Sequence, residues 1–194
     1  MTGLPKWVRN ILLSDSVERY QVYMRRRGRP PKDTIELPVP LLCAIDAGQT
    51  TGVAILTPTW GIVLEAKDED FAFAKTLLQR LPKQATVCIE SGFCPSAEAV
   101  YRAGVYTGLA FARGFTPALI HPNAKAKVYK QSPPAEKVSV IAHSYNTFNF
   151  LLHKSEGKGH FEHACDAVGI AFAYLRHNYN LDIPNFRLSF NYEW

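Results

Sequence analysis

The rhythm of apolar positions changes several times along this chain. Residues 41–45, Leu41-Leu42-Cys43-Ala44-Ile45, run apolar without a break and stop at Asp46, the pattern of a strand buried on both faces. Two further short apolar runs, 53–56 and 61–65, flank a turn at Thr57-Pro58-Thr59 and predict a three-stranded meander. Helical spacing follows at 70–81, where Phe71, Ala74, Leu77 and Leu78 share a face. A strand at 86–90, a small-residue-rich helix at 96–113, a strand at 117–120 and helices at 135–152 and 161–178 complete the pattern. Three strands followed by alternating strands and helices predict an α/β or mixed α+β layered fold.

The first 40 residues read differently. Asp15-Ser16-Val17-Glu18 fits a capping box, and Val17, Tyr20 and Met24 have roughly helical spacing, so a helix is expected up to Gly28. Pro30, Pro31, Pro38 and Pro40 then mark a linker. The expected organisation is an arm over 1–40, a main domain over 41–180 and an aromatic tail over 181–194. A chain of 194 residues suits one such domain.

Charge sharpens the division. The net charge is +5, and residues up to Lys32 carry eight Lys and Arg against Asp15 and Glu18, so the rest is close to neutral. A basic arm on a neutral body points to a polyanionic partner. No apolar run approaches the ~18–20 residues of a membrane helix, and the N-terminus lacks a secretory apolar core. Cys43, Cys88, Cys94 and Cys165 show no zinc spacing and are expected to be reduced thiols in a reducing compartment. The expected location is intracellular and DNA-associated, with a viral or organellar setting left open.

Candidate chemistry sits where apolar runs end on acids. Asp46 closes one strand and Glu90 another, and a carboxylate there is costly unless paired, hydrogen-bonded or metal-bound. His163 and Asp166, three residues apart in Glu162-His163-Ala164-Cys165-Asp166-Ala167, share one face of the last helix. Each alone has an ordinary account: Asp46 as a turn cap, Glu90 as an arginine partner, His163 as a surface group. Together they favour a metal site.

Ile45-Asp46-Ala47-Gly48-Gln49-Thr50-Thr51-Gly52 resembles the first-strand motif of the RuvC group of Holliday junction resolvases, in the RNase H-like superfamily. Ile89-Glu90-Ser91-Gly92-Phe93 resembles that group's fourth-strand motif, and 162–174 resembles its terminal helix. The resemblance runs in order from about Leu41 to Arg176. Ala47 departs from the frequent Pro, and His163 stands where Asp is common. The resemblance implies a three-layer RNase H-like fold, a five-stranded mixed sheet flanked by helices, here with a basic helical arm added. It also implies a divalent-metal-dependent endodeoxyribonuclease that nicks two symmetric strands of a four-way junction as a homodimer.

Phosphodiester hydrolysis needs an activated water and a stabilised leaving oxygen, which two ions roughly 3.5–4 Å apart can serve. Mg²⁺ suits the oxygen donors, and the imidazole would also accept Mn²⁺. On this expectation Asp46 bridges two ions, Glu90 and Asp166 each hold one, and His163 ligates metal or orients water. Lys137, in Ala135-Glu136-Lys137, resembles the family's functional lysine beside the scissile phosphate, while Lys125 and Lys127 lie near a second such position. Phe93 is expected to stack at a distorted base step. Arg25-Arg26-Arg27-Gly28-Arg29-Pro30-Pro31-Lys32 resembles an AT-hook, and general phosphate binding explains these residues equally well.

Three rivals stand beside this reading. An actin-like or sugar-kinase-type ATPase also begins on such a strand, but needs two related domains and a second phosphate motif. An RNase H-like nuclease acting on other branched DNA or on RNA–DNA hybrids is the second. A non-catalytic DNA-binding protein of the same fold is the third.

Overall fold

The computed structural model describes residues 3–29, 32, 34–91, 96–128, 147–157 and 161–181. Alternation along the strands splits the apolar residues between two cores. Leu42, Ala44, Ala54, Leu56, Val63 and Cys88 point to one face of the sheet. Their neighbours Cys43, Ile45, Val53, Ile55, Ile62, Leu64, Val87 and Ile89 point to the other. A sheet apolar on both faces must be covered twice, which gives three layers.

The chain runs α1 (Lys6–Leu12), β1 (Val17–Arg25), β2 (Leu42–Asp46), β3 (Thr50–Leu56), β4 (Trp60–Lys67), α2 (Ala72–Arg80), β5 (Thr86–Glu90) and α3 (Ala97–Ala112). It continues with β6 (Ala118–Ile120), α4 (Pro122–Val128), β7 (Phe150–Glu156) and α5 (Glu162–Tyr179). The sheet order is β6-β5-β2-β3-β4-β1-β7. β2, β5 and β6 are mutually parallel, while β3, β4, β1 and β7 pair antiparallel in turn. Val8, Ile11 and Leu12 of α1, Phe73, Leu77 and Leu78 of α2, and Tyr106 and Ala110 of α3 seal one face. On the other lies α5, through Ala164, Ala167, Val168, Ala171, Phe172 and Leu175.

The meander β2–β4 and the elements α2, β5, α3, β6 and α5 follow the sequence pattern, while α4 has no counterpart in it. Three expectations do not hold. Among the described residues the sheet has seven strands, not five. The expected arm helix is the strand β1, paired to β4 from Val17↔Ala66 to Met24↔Trp60. Tyr20 and Val22 enter one core while Tyr23 enters the other, a division that a helix stripe cannot make and a strand between two neighbours can. β-branched and aromatic residues suit that buried position, so tertiary pairing overrides the weak helical spacing. The seventh strand, β7, takes over the end of the helix expected at 135–152, because Phe150 is buried and the chain pairs with β1. Residues 135–146 of that expectation lie outside the described residues, as does the tail from 182.

Cys43, Cys88 and Cys165 are buried and not disulfide-bonded; Cys94 lies outside the described residues. Among the described residues no helix is long and apolar enough to cross a membrane.

Candidate active site

β2 and β5 run parallel in register, Ile45 beside Ile89, so Asp46 and Glu90 emerge side by side at their C-terminal ends. Both share the parity of Ala44 and Cys88, which places them on the face covered by α5. The first turn of α5 brings in His163, and Asp166 follows one turn later. His163 Nδ1 lies 3.1 Å from Asp46 Oδ2. The two acids are mostly buried, with side chains 14% exposed for Asp46 and 20% for Glu90, whereas His163 is 44% exposed.

Lys125, from α4, supplies the counter-charge. Its ammonium binds both Glu90 oxygens, at 3.0 and 3.1 Å, and lies 3.7 Å from Asp166 Oδ1. This grouping sets the protonation states. Burial pushes the Asp46 carboxyl up, but the His163 hydrogen bond, the Lys125 charge and the hydrogen bond with Glu90 hold it below its ordinary value. Burial raises Glu90 against the pull of Lys125, and its neighbour Asp46 adds to the rise, to about 7. The hydrogen bond to Asp46 raises His163 against its own burial. Two adjacent carboxyls with proton affinities driven apart, beside an imidazole whose own affinity is raised, are equipped for proton transfer.

A single rung of the sheet organises this arrangement. Asp46 pairs with Gly52, Gly52 with Glu65, and Glu65 with Arg19, so all four project to the α5 face. A Cβ on Gly52 would lie 1.9 Å from the His163 carbonyl oxygen. Only a glycine lets the start of α5 rest on the backbone of β3 so closely. Glu65 is 1% exposed and accepts from the Ala164 amide at 3.0 Å, and Arg19 Nε lies 2.9 Å from its other oxygen.

The structure therefore gathers Asp46, Glu90, His163, Asp166 and Lys125. It does not bring the basic run to them. β1 runs away from the rung, and Arg25 lies six residues beyond Arg19 at the opposite sheet end, roughly 20 Å on at strand rise. Arg25 itself reaches the Pro58 carbonyl at 3.4 Å; Arg26, Arg27, Arg29 and Lys32 are exposed. Phe93 and Lys137 lie outside the described residues, as does the Lys127 side chain. Glu65 and Arg19 are not among the sequence-predicted site residues; Glu65 carries a related signal, an acid inside the apolar run Ile62-Val63-Leu64-Glu65-Ala66 rather than at its end.

Among the described residues, no three His, Cys, Asp or Glu side chains are drawn together as a set of metal ligands. The donor types nonetheless fit a hard divalent cation. Asp46, Glu90 and Asp166 converge on one positive charge, now the Lys125 ammonium.

No protein-family model matches the chain, and no curated protein matches it. Among solved structures, T. thermophilus RuvC in complex with a Holliday junction substrate is similar, at 19% sequence identity and a TM-score of 0.45. That similarity covers 71% of this chain and 95% of the other.

Proposed function

We propose that this chain is a divalent-metal-dependent endodeoxyribonuclease of RNase H-like type that resolves four-way DNA junctions. One observation carries the reading: Asp46 and Glu90 end two parallel core strands side by side, His163 touches Asp46, and Lys125 links Glu90 to Asp166. Asp46, Glu90 and Asp166 would hold Mg²⁺ or Mn²⁺, with His163 beside them. The metal supplies Lewis-acid polarisation of the phosphoryl oxygens and a more acidic water.

The protein's own groups account for the rest. Asp46 stays ionised and orients the imidazole through Nδ1, leaving Nε2 as the nitrogen for proton transfer or a ligand. Lys125 is placed to meet a backbone phosphate once another cation satisfies the acids. The exposed Arg26, Arg27 and Arg29 supply phosphate anchoring away from the site, with Lys32. Phe93 and Lys137 keep their proposed roles in stacking and at the scissile phosphate, and Lys127 its place on the DNA backbone.

A homodimer suits a two-fold junction, and α3 offers a surface for it. Val100, Tyr101 and Phe111 are exposed on α3, and Gly104 and Gly108 have nothing within 4 Å of an added Cβ. A non-catalytic DNA-binding role is the second reading, favoured by the lysine that already neutralises the acids.

Cleavage assays with Mg²⁺ on four-way junction, flap, duplex and RNA–DNA hybrid separate these readings. Symmetric nicking of the junction, lost in Asp46→Asn with binding retained, is the expected result. Binding without cutting by the unaltered protein refutes the enzyme and supports the second reading.

A further inference from the structure

The helix that carries His163 and Asp166 begins without a cap of its own: Phe161 occupies the N-cap position and contributes no side-chain hydrogen bond. The first-turn amides of a helix need acceptors, and a start buried against a sheet cannot take them all from water. Glu65 fills the role from another element. Its Oε1 accepts from the Ala164 amide at 3.0 Å, one residue after His163.

A carboxylate 1% exposed must itself be compensated. Arg19 does this, with Nε 2.9 Å from Oε2 and the guanidinium 5.8 Å over the Phe161 ring. Packing closes on Arg19 from the other side. An added Cβ on Gly157, just past β7, would lie 2.3 Å from the Arg19 Cβ. The α5 start is thus pinned twice on one rung, by close approach at Gly52 and by charge at Glu65.

We propose that Glu65, held by Arg19, is a positioning residue that sets where His163 and Asp166 stand relative to Asp46 and Glu90. This assignment rests on the nuclease reading above. It makes part of the N-terminal segment, the strand β1, a component of the site's framework. Neither residue touches the reacting atoms; both act through the backbone of α5.

Three variants of the full chain test it: Glu65→Ala, Glu65→Gln and Arg19→Met. Glutamine keeps an acceptor at Oε1 while losing the charge. In Glu65→Ala, kcat for Mg²⁺-dependent junction cleavage is expected to fall about 10- to 100-fold, the scale of a small misplacement, with KM within about twofold. Glu65→Gln should recover most of that loss, and Arg19→Met should fall between them. Amide hydrogen exchange read without metal or DNA should rise at 163–165 in Glu65→Ala and stay unchanged at 170–175.

A Glu65→Ala enzyme with kcat within about twofold of the unaltered protein overturns the proposal. So does a glutamine variant as damaged as the alanine one, or unchanged exchange at 163–165. Should Glu65→Ala fail to fold, Arg19→Met and Glu65→Gln carry the same comparison. If the unaltered protein cuts no substrate, the nuclease reading falls, and exchange at 163–165 still decides whether Glu65 seats α5.

Discussion

Replacing Lys125 with methionine keeps the apolar stem and deletes the cation shared by Glu90, Asp166 and Asp46. A hydrogen bond to a charged group contributes about 1.5–3 kcal/mol, and removing one partner of a fully buried pair costs about 3–5 kcal/mol. Lys125 and Glu90 are 15% and 20% exposed, so water recovers part of that loss. Glu90 recovers more by holding a proton, since its carboxyl already titrates at about 7. At pH 8 with EDTA, where Glu90 of the unaltered protein is largely ionised, a loss of about 2–3 kcal/mol is expected. For a chain of this size that lowers Tm by about 4–12 °C. Thermal unfolding by circular dichroism reads the change directly. Adding Mn²⁺ should then restore Tm more in the variant than it raises the unaltered protein, because the metal no longer competes with an internal ammonium. A ligand at 100 times its Kd adds about 2.7 kcal/mol, enough to erase most of the deficit. An unchanged Tm in EDTA, or equal gains from Mn²⁺ in both proteins, refutes this account of the cluster.

Gly52→Ala places a methyl 1.9 Å from the His163 carbonyl oxygen, so α5 must shift; a loss of about 3 kcal/mol by urea denaturation is expected, with junction cleavage abolished. In EDTA, Tm should decline as pH rises from about 5 to 8. The raised Glu90 contributes stability that is complete below its ordinary value of 4.5 and lost as pH passes about 7, so Glu90→Gln should flatten the decline. Raised His163 acts in the same direction, whereas lowered Asp46 stabilises above its ordinary 3.8 and matters only in acid. Neutralising Arg26, Arg27 and Arg29 should reduce the salt slope of junction binding by about 0.9 for each phosphate left without its arginine, measured by fluorescence anisotropy from about 50 to 200 mM salt. An unchanged slope rules out the basic run as a phosphate anchor.

Asp46 and Glu90 were legible because an acid that ends an apolar run has few inexpensive explanations. His163 and Asp166 were legible through helical spacing. β1 was not, because Val17, Tyr20 and Met24 satisfy a weak helical period, and only the presence of β4 on one side and β7 on the other decides for a strand. Lys125 could be placed near phosphate chemistry but not among the acids, since that depends on how α4 leans across the strand ends. Glu65 and Arg19 are far apart in sequence and become neighbours only through the β1–β4 register. Local pattern carries no information about such a pairing.

The common rung has a consequence for which length changes this fold can absorb. Side chains alternate faces with a period of two, so adding or removing one residue within β2, β3, β4 or β1 would turn that strand's contribution away from α5 and into the opposite core. Asp46, Gly52, Glu65 and Arg19 each depend on this parity. The turn at Thr57-Pro58-Thr59, at the far end of the sheet, carries no such restriction. Relatives that keep the chemistry should therefore vary in length between strands, and a strand that has lost or gained a single residue upstream of its site position marks a chain that has given it up.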